Sequence, residues 1–306
     1  MHTFLEKFLL FHKKIIIIVF NIILLFYINL KILKTKICVC TLGKRENRYI
    51  REFALYYKWL GVDKIYLYDN NNIKEERFEE VIEDLINNKF VEVINWRGKL
   101  RPQIQIMNDC YKRNNNKYDW LIFYDIDEYI NLRTYSNIKY FLNKKKFSKC
   151  EIIYLNLILH TDNEQIYYEN KSLIERFPKT VPRTKPQGKN LEIKFIVRGH
   201  IKKLKIKNQH YGNKKLKNCN GFGKPNSSIN LYTKEPDYNY YYIDHYYSKS
   251  TEELIEKILK GDCRYNSRIK FNKIERYFNQ SNPTKEKVDL IEKRLGLNLS
   301  KYKYSY

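Results

Sequence analysis

The strongest constraint on the fold is a regular alternation of strand and helix patterns that begins at Ile37. Apolar runs at residues 37–41, 64–68, 90–96 and 120–125 are typical of strands, and the segments between them repeat apolar residues at helical spacing. Strands that alternate with helices of this size form βαβ units with parallel neighbours. The run at 120–125 is almost continuously apolar, as in a strand covered on both faces. The pattern therefore predicts an α/β fold with a mostly parallel sheet.

The second half of the chain has a different rhythm. Residues 152–159, 173–177, 192–197 and 201–206 are predicted strands with few helices between them. From Thr251 onward helical spacing returns, and Gly261 supplies a helix stop signal. We find no internal repeat, and the length of 306 residues fits one large domain with an appendage.

The N-terminal region contains an uncharged apolar run at residues 15–30, which is flanked by lysines on both sides. A membrane-spanning helix needs about 20 apolar residues, and flanking lysines extend the effective span by snorkelling. A signal peptide would need small residues at a cleavage site, and none follows the run. We therefore predict a single uncleaved membrane anchor, with a buried core helix as the alternative. Positive charge at both ends leaves the orientation open.

The net charge of +24 and the pI of about 9.5 suggest a nucleic-acid-binding protein at first sight. However, the lysines are scattered along a chain that is also rich in Asn, Ile and Tyr, which favours a solvated basic surface. Anionic lipid headgroups, nucleotide phosphates and nucleic acid remain alternative partners. The six cysteines include no CxxC pair, so a zinc site is not expected. Cys38 and Cys40 share one face of a strand and are predicted to pack in the core.

The sharpest chemical signal is Asp125-Ile126-Asp127-Glu128 at the end of the fourth predicted strand. Ligands of open parallel sheets bind at the carboxyl ends of the strands. Carboxylates at positions i and i+2 of an extended segment point the same way, and a divalent cation such as Mg²⁺ or Mn²⁺ would remove their repulsion. Such an ion could hold a substrate diphosphate and stabilise the leaving group. The alternative is a solvated acidic turn.

Asp69 ends the second predicted strand at the same edge of the sheet. A carboxylate at this place in a βαβ unit often accepts hydrogen bonds from a ribose or a base. In the alternative interpretation, Asp69 caps its own turn, because Asp69-Asn70-Asn71-Asn72 is a strong turn signal.

Taken in order, the motifs resemble glycosyltransferase family 92 and related GT-A enzymes over about residues 37–262. The resemblance is carried by Thr41-x-Gly43-x-x-Glu46-Asn47, Asp69-Asn70, Gln103, Phe123-x-Asp125-Ile126-Asp127-Glu128-Tyr129, Lys194-x-Ile196-Val197-Arg198, His210 and His245-Tyr246-x-x-Lys249-Ser250. The ordered combination is far more specific than any one motif. It implies a GT-A fold, which is Rossmann-like with flanking helices.

The resemblance also implies roles for individual residues. Mn²⁺, or Mg²⁺, would bind Asp125, Asp127 and His245; an ordinary core histidine is the alternative for the last. Donor binding would involve Thr41, Glu46, Asp69, Asn70, Gln103, Arg198 and Lys249, with Lys194 also facing the phosphates. The family inverts the anomeric configuration, which requires a base to deprotonate the acceptor hydroxyl. Asp162 is the first candidate for that base and Glu192 is the second.

Together with the predicted anchor, the resemblance implies a metal-dependent inverting glycosyltransferase, held in the Golgi or ER membrane if the source is eukaryotic. Galactose from a UDP donor, and a hydroxyl of a glycan or glycoconjugate as acceptor, are the family-based expectations. The predicted organisation is a tail and anchor at residues 1–36, a GT-A domain at 37–262 and a basic helical tail at 263–306. Two alternatives remain: a basic nucleic-acid-binding or nuclease-type protein, and an inactive carbohydrate-binding scaffold on a GT-A frame.

Overall fold

The computed structural model describes residues 2–100, 102–181, 192–202, 204–210, 215–225, 241–261 and 270–299. Its helices are α1 (His2–Leu33), α2 (Asn47–Trp59), α3 (Glu79–Asn87), α4 (Gln103–Asn114), α5 (Ile138–Leu142), α6 (Leu173–Arg176), α7 (Thr251–Leu259), α8 (Lys270–Phe278) and α9 (Lys285–Leu295). Its strands are β1 (Ile37–Gly43), β2 (Lys64–Asp69), β3 (Val91–Asn95), β4 (Trp120–Phe123), β5 (Glu128–Asn131), β6 (Ile152–Leu159), β7 (Ile193–Arg198), β8 (Asn218–Asn220) and β9 (Tyr242–His245). Strands and helices alternate through β4, as the sequence predicts.

The strands form a sheet in the order β3-β2-β1-β4-β7-β6-β9-β5, with β8 paired to β6. Strands β1 to β4 are mutually parallel, which confirms the βαβ prediction for the first half of the chain. Strand β7 lies antiparallel between β4 and β6, and β5 pairs antiparallel with β9. The predicted α/β class is confirmed, and the sheet is parallel in its first half and mixed in its second.

Two of the predicted strands have a different structure. The prediction at residues 173–177 is wrong, because Leu173–Arg176 is the short helix α6, capped by the Ser172 side chain, which accepts from the Glu175 amide. The described part of residues 201–206, which excludes Lys203, contains no strand either. There the side chain of Asn108 bonds both the amide and the carbonyl of Ile206, at 2.9 and 2.8 Å. A side chain thus supplies the bonds that a neighbouring strand would have made.

Apolar side chains cover both faces of the sheet. In β1, Ile37 and Val39 pack in one hydrophobic cluster, whereas Cys38 and Cys40 pack in the other. Helix α2 closes the first face and buries the apolar positions that its spacing predicts, namely Tyr49, Ile50, Phe53, Ala54 and Tyr57. Helix α4 closes the second face. The parallel strands are therefore buried on both sides.

Four cysteines form two disulfide bonds. Cys40 of β1 is bonded to Cys110 of α4, and Cys150 is bonded to Cys219 of β8. Cys38 is a buried free thiol. The shared face of Cys38 and Cys40 is as predicted, but Cys40 has a covalent partner in addition to its core packing.

Helices α7, α8 and α9 share a hydrophobic cluster of their own. Its buried members include Leu254, Ile255, Ile258, Ile274, Tyr277, Val288 and Ile291. Helix α7 therefore packs against two helices that lie beyond residue 262. The domain boundary at that residue stays a prediction.

Helix α1 contains a segment, Ile16–Leu33, that is long and apolar enough to cross a membrane. None of this segment is buried against the rest of the chain, which argues against the buried core helix. A backbone carbonyl at its end accepts from Lys139 of α5, and Thr35 accepts from Asn143 (2.7 Å). These contacts hold the end of α1 beside the amino ends of the parallel strands, opposite the edge where ligands are expected to bind.

Candidate functional site

The acid motif lies in a tight turn between β4 and β5, at the carboxyl edge of the parallel strands. The Glu128 amide donates to the carbonyl of Asp125 (3.0 Å), and the Glu128 carboxylate accepts from the Asp125 amide (3.0 Å). Ile126 is buried in the core, as expected from its place between the two acids. Asp125 and Asp127 both line an open pocket at this edge.

Several other residues singled out from the sequence line the same pocket, namely Glu46, Gln103, Glu192, Lys194, His210 and His245. The wall opposite β1 and α4 comes from α7 and α8. It contributes the basic side chains of Lys257, Lys260, Lys273 and Arg276. The pocket is therefore built from β1, the turn after β4, β7 and β9 on one side and from the C-terminal helices on the other.

Lysine side chains form ion pairs with both aspartates of the acid motif. Lys194 of β7 donates to Asp125 (2.8 Å) and lies 3.1 Å from Glu128. Lys257 of α7 donates to Asp127 (3.2 Å), and the Lys249 ammonium lies 3.8 Å from the same carboxylate oxygen. The repulsion between the two carboxylates is therefore already offset by the chain's own cations.

Burial and charge act in opposite directions on the acids. Burial would raise the pKa of Asp127, but Lys257, Lys249 and His245 hold it well below its usual range. In the same way, Lys194 outweighs burial and lowers the pKa of Asp125. Burial, reinforced by the two aspartates, raises the pKa of Glu128 to about 8. Asp125 and Asp127 are therefore ionised at neutral pH, whereas Glu128 is largely protonated.

His245 lies beside Asp127, with Nε2 at 3.5 Å from a carboxylate oxygen. Its Nδ1 atom is buried and has no hydrogen-bond partner among the residues that the structure describes. Burial lowers the pKa of His245, although the neighbouring Asp127 acts in the opposite direction. The structure thus brings together the three residues predicted to bind a metal.

The arrangement of these three residues does not fit a divalent cation. Within the described ranges, no group of three or more His, Cys, Asp or Glu side chains is placed to hold a metal ion. Two unit charges 4 Å apart interact by about 4 kcal/mol at an effective dielectric constant of about 20, and a divalent ion near an ammonium group doubles that repulsion. The lysines would therefore oppose the ion at each carboxylate. The expected Mn²⁺ or Mg²⁺ stays a prediction.

Three further pocket residues have partners that define their place. The amide of Gln103 lies 3.4 Å from Asp125. Glu46 forms an ion pair with Lys260. Glu192, immediately before β7, lies 3.7 Å from the Arg276 guanidinium. The predicted donor residues Gln103 and Glu46 and the second candidate base therefore meet in one cavity.

Asp69, Asn70 and Thr41 do not line this pocket. Asp69 is 3% exposed, accepts from Arg97 (2.7 Å) and caps the Asn71 amide (2.9 Å). The Asn70 amide donates to the carbonyls of residues 96 and 99. Thr41 lines a small cavity beneath the pocket. The contacts of Asp69 and Asn70 are those of the turn-capping alternative.

The predicted phosphate residues Arg198 and Lys249 have different surroundings. Arg198 lies opposite Trp120, the first residue of β4, because β7 is antiparallel. It donates to the carbonyls of residues 150 and 147 and stacks over Trp120, so it lies at the far edge of the sheet. Lys249 is buried over the Tyr49 ring and reaches Asp127 from behind the pocket wall.

Asp162, the first candidate base, does not line the pocket either. Its carboxylate accepts from Lys287 of α9 (2.5 Å), from the Tyr277 hydroxyl of α8 (2.6 Å) and from the Glu164 amide (3.1 Å). Asp162 is 1% exposed. These contacts tie the loop after β6 to the last two helices.

The sequence interpretation missed the cations of α7 and α8. Lys257 and Lys260 are spaced i and i+3 on a helix that begins with a capping box at Ser250 and Glu253. The capping box sets the first residue of α7, and the helical spacing from that residue sets the side of the helix on which Lys257 lies. The pocket cations of α8, Lys273 and Arg276, lay in the tail to which no role was assigned.

Comparisons with known proteins identify the family. The profile of glycosyltransferase family 92 matches residues 34–290. A family 92 protein of Ricinus communis is 28% identical over 130 residues, which is 41% of this chain and 22% of the relative. One of Arabidopsis thaliana is 29% identical over 96 residues, which is 31% of this chain and 16% of the relative. The aligned part of this chain thus spans about a fifth of the length of these curated relatives.

Among solved structures, residues 1–349 of TarS from S. aureus are 14% identical, with a TM-score of 0.36 over 80% of this chain and 71% of that one. The same protein in complex with UDP-GlcNAc is 12% identical, with a TM-score of 0.37 over 80% and 72%. The family profile, by contrast, covers most of the sequence and agrees with the ordered motifs. This chain belongs to glycosyltransferase family 92.

Proposed function

We propose that the chain transfers a sugar from a nucleotide-sugar donor to a hydroxyl group of a glycan or glycoconjugate. The observation that carries the proposal is the lysine-bound acid pair, Asp125 and Asp127, in a cation-lined pocket at the carboxyl edge of the sheet. Ammonium and guanidinium groups are the usual partners of a diphosphate. Family membership supplies the class of reaction.

The pocket offers two kinds of wall to such a donor. Glu46 and Gln103 lie on the side of β1 and α4, and we assign the nucleoside to that side. Lys257, Lys260 and Arg276 face them from α7 and α8, and we assign the diphosphate to the space beside them. A UDP donor and galactose as the transferred sugar are expectations from the family resemblance.

Inverting transfer requires a base that accepts the proton of the acceptor hydroxyl. Glu192 lines the pocket, whereas the carboxylate of Asp162 is enclosed by Lys287 and Tyr277. We therefore propose Glu192 as the base. The resemblance also implies dependence on Mn²⁺ or Mg²⁺, but the lysine-bound carboxylates do not fit such an ion, and no step of this proposal is routed through a metal.

We also propose that α1 anchors the enzyme in a membrane and that the catalytic domain faces an oxidising compartment. The first statement rests on the exposed apolar segment Ile16–Leu33. The second rests on the bonds Cys40–Cys110 and Cys150–Cys219, because disulfides persist in secretory and extracellular spaces.

A screen of nucleotide-sugar hydrolysis, with and without Mn²⁺, tests the proposed function. We expect one donor to be consumed, and Glu192→Gln to lower its turnover by about 10² or more while leaving nucleotide binding intact. Glu286→Gln, on the exposed side of α9, is the matched control and should have no effect. If no donor is consumed and nucleic acid binds with steep salt dependence, the nucleic-acid alternative replaces this proposal.

A further inference from the structure

We propose that the ammonium groups of Lys194, Lys249 and Lys257 take the place of a divalent cation, so that the donor diphosphate binds and leaves without a metal. The inference rests on the proposed function and concerns the same pocket. It is based on the ion pairs that buried or partly buried lysines form with Asp125 and Asp127.

Lys194 is the most buried of the three cations. Its side chain is 2% exposed and lies on the inner strand β7, 2.8 Å from Asp125 and 3.1 Å from Glu128. A lysine at the surface could swing into solvent when a metal arrives. Lys194 has no such exit, since removing its partners would leave a buried charge unpaired. A positive charge is therefore a fixed part of the acid motif.

Lys249 holds Asp127 from the side away from the pocket. Its side chain is 6% exposed, and its ammonium lies 4.0 Å from the centre of the Tyr49 ring. Its backbone has a φ of 51°, in the left-handed region that favours glycine. A lysine kept in this region indicates that its position is imposed by function or packing. Here that position directs its ammonium group at Asp127.

Lys257 is the member that reaches the cavity. It is 21% exposed at the side chain, donates to Asp127 (3.2 Å) and to the carbonyl of Tyr247 (3.3 Å), and lies over the Tyr247 ring. Its helix is held one turn earlier by Glu253, which is buried and paired with Arg176. Among the residues that the structure describes, the third donor position of the ammonium group has no partner, and it can point into the pocket. Lys257 is therefore placed to bind a diphosphate oxygen.

The chemistry balances without a metal. The bond between the anomeric carbon and the diphosphate oxygen breaks, and its electron pair stays on that oxygen. The acceptor oxygen forms the new bond to the same carbon, and its proton passes to Glu192. The charge that develops on the leaving oxygen is stabilised by a charge-assisted hydrogen bond from Lys257, in a site organised before the substrate arrives.

The test uses the full chain in detergent and measures the binding of UDP and of GDP by calorimetry, first in EDTA and then in Mn²⁺. We expect the nucleotide that binds to have the same affinity in both buffers. Lys257→Met should weaken binding in EDTA by about tenfold, equivalent to about 1.4 kcal/mol. Lys293→Met, which removes the same charge from an exposed position on α9, should bind as the parent chain does.

Each other result counts against the inference. Loss of binding in EDTA with recovery in Mn²⁺ would show that a metal is needed, and would leave the proposed function standing. Unchanged binding by a folded Lys257→Met variant, checked by thermal melting, would show that this lysine does not contact the diphosphate. If Lys257→Met fails to fold, the EDTA comparison on the parent chain decides alone. Failure of both nucleotides to bind in either buffer overturns the proposed function and this inference together.

Discussion

Asp69 and Asp127 begin from equivalent places and end in different environments. Asp69 is the last residue of β2 and Asp127 lies in the turn after β4, so both are at the carboxyl edge of the sheet. Asp69 is bound by Arg97, 28 residues away in the loop after β3. Asp127 is bound by Lys257, 130 residues away on a C-terminal helix, and it lines the pocket. The edge of the sheet positions both acids, and only the acid whose partner comes from a C-terminal helix lines the pocket.

The two candidate bases show the same contrast. Asp162 is enclosed by Lys287 and Tyr277, which leaves its carboxylate without access to the cavity. Glu192 lies on the pocket wall beside Arg276. A carboxylate enclosed by its partners stabilises the fold, whereas one at an open cavity can act on a substrate. Substitutions that exchange each carboxylate for its amide separate these two roles.

Asp127→Asn should have the largest effect, and the effect should fall on activity. The amide leaves Lys257 and Lys249 without the charge that orients them, and loss of one preorganised group in an active site lowers turnover by about 10²–10³. Nucleotide-sugar turnover in steady state is the measurement, with thermal melting as the check on folding. Turnover within a factor of about three of the parent would remove the acid pair from the mechanism.

Asp162→Asn, in contrast, should lower the stability of the fold. Breaking a buried ion pair costs about 3–5 kcal/mol, and we expect about 3 kcal/mol because the amide oxygen still accepts from Tyr277. The free energy of unfolding, from urea titration, is the measurement. Adding Lys287→Met should recover part of the loss, since it removes the unpaired ammonium group. Normal stability together with abolished turnover would instead make Asp162 the base.

The first half of the fold follows from the sequence because its rules are local. Residues 37–41 and 64–68 read as strands from their apolar runs, and the parallel order follows from the helices between them. The place of the acid pair follows from the same rule, since Asp125 and Asp127 come just after the buried strand β4. The strand prediction at residues 173–177 is wrong for a local reason too. The helix cap at Ser172 outweighs the strand preference of the apolar residues that follow it.

The rest of the site depends on long-range contacts that no local pattern encodes. The direction of β7 places Lys194 in the pocket and Arg198 at the opposite edge, and strand direction is not visible in a run of apolar residues. Four residues along a strand separate two side chains by about 13 Å. The partners of Asp127 lie on α7, whose packing is fixed only by the tertiary fold. The pocket cations of α7 and α8 were therefore found only in the structure, whereas Lys194 was expected from the family resemblance.

A substitution of Glu253 tests whether its ion pair with Arg176 holds α7 in place. Burial would raise its pKa, but Arg176, Lys249, Ser250 and Tyr49 lower it from its ordinary value of 4.5 to about 2. A lowered folded pKa adds stability above pH 4.5, and that stability is lost as the pH falls from about 4.5 to about 2. Glu253→Gln should cost about 3 kcal/mol at neutral pH, and its difference from the parent should shrink over that range. Acid-unfolding curves of the parent and the variant measure this difference in stability. A difference that stays constant with pH would contradict the lowered pKa of Glu253.

Asp69→Asn should give the smallest effect and should leave turnover unchanged. Arg97 keeps its hydrogen bonds to the carbonyls of residues 72 and 76, and the asparagine side chain can still cap the Asn71 amide. The expected loss is about 2 kcal/mol, the usual contribution of a hydrogen bond to a charged group, measured by urea unfolding. If Asp69→Asn instead weakens nucleotide binding by tenfold or more at unchanged stability, Asp69 contacts the donor. Both strand ends would then belong to the binding site, and Asp69 and Asp127 would differ only in the part of the donor that each one contacts.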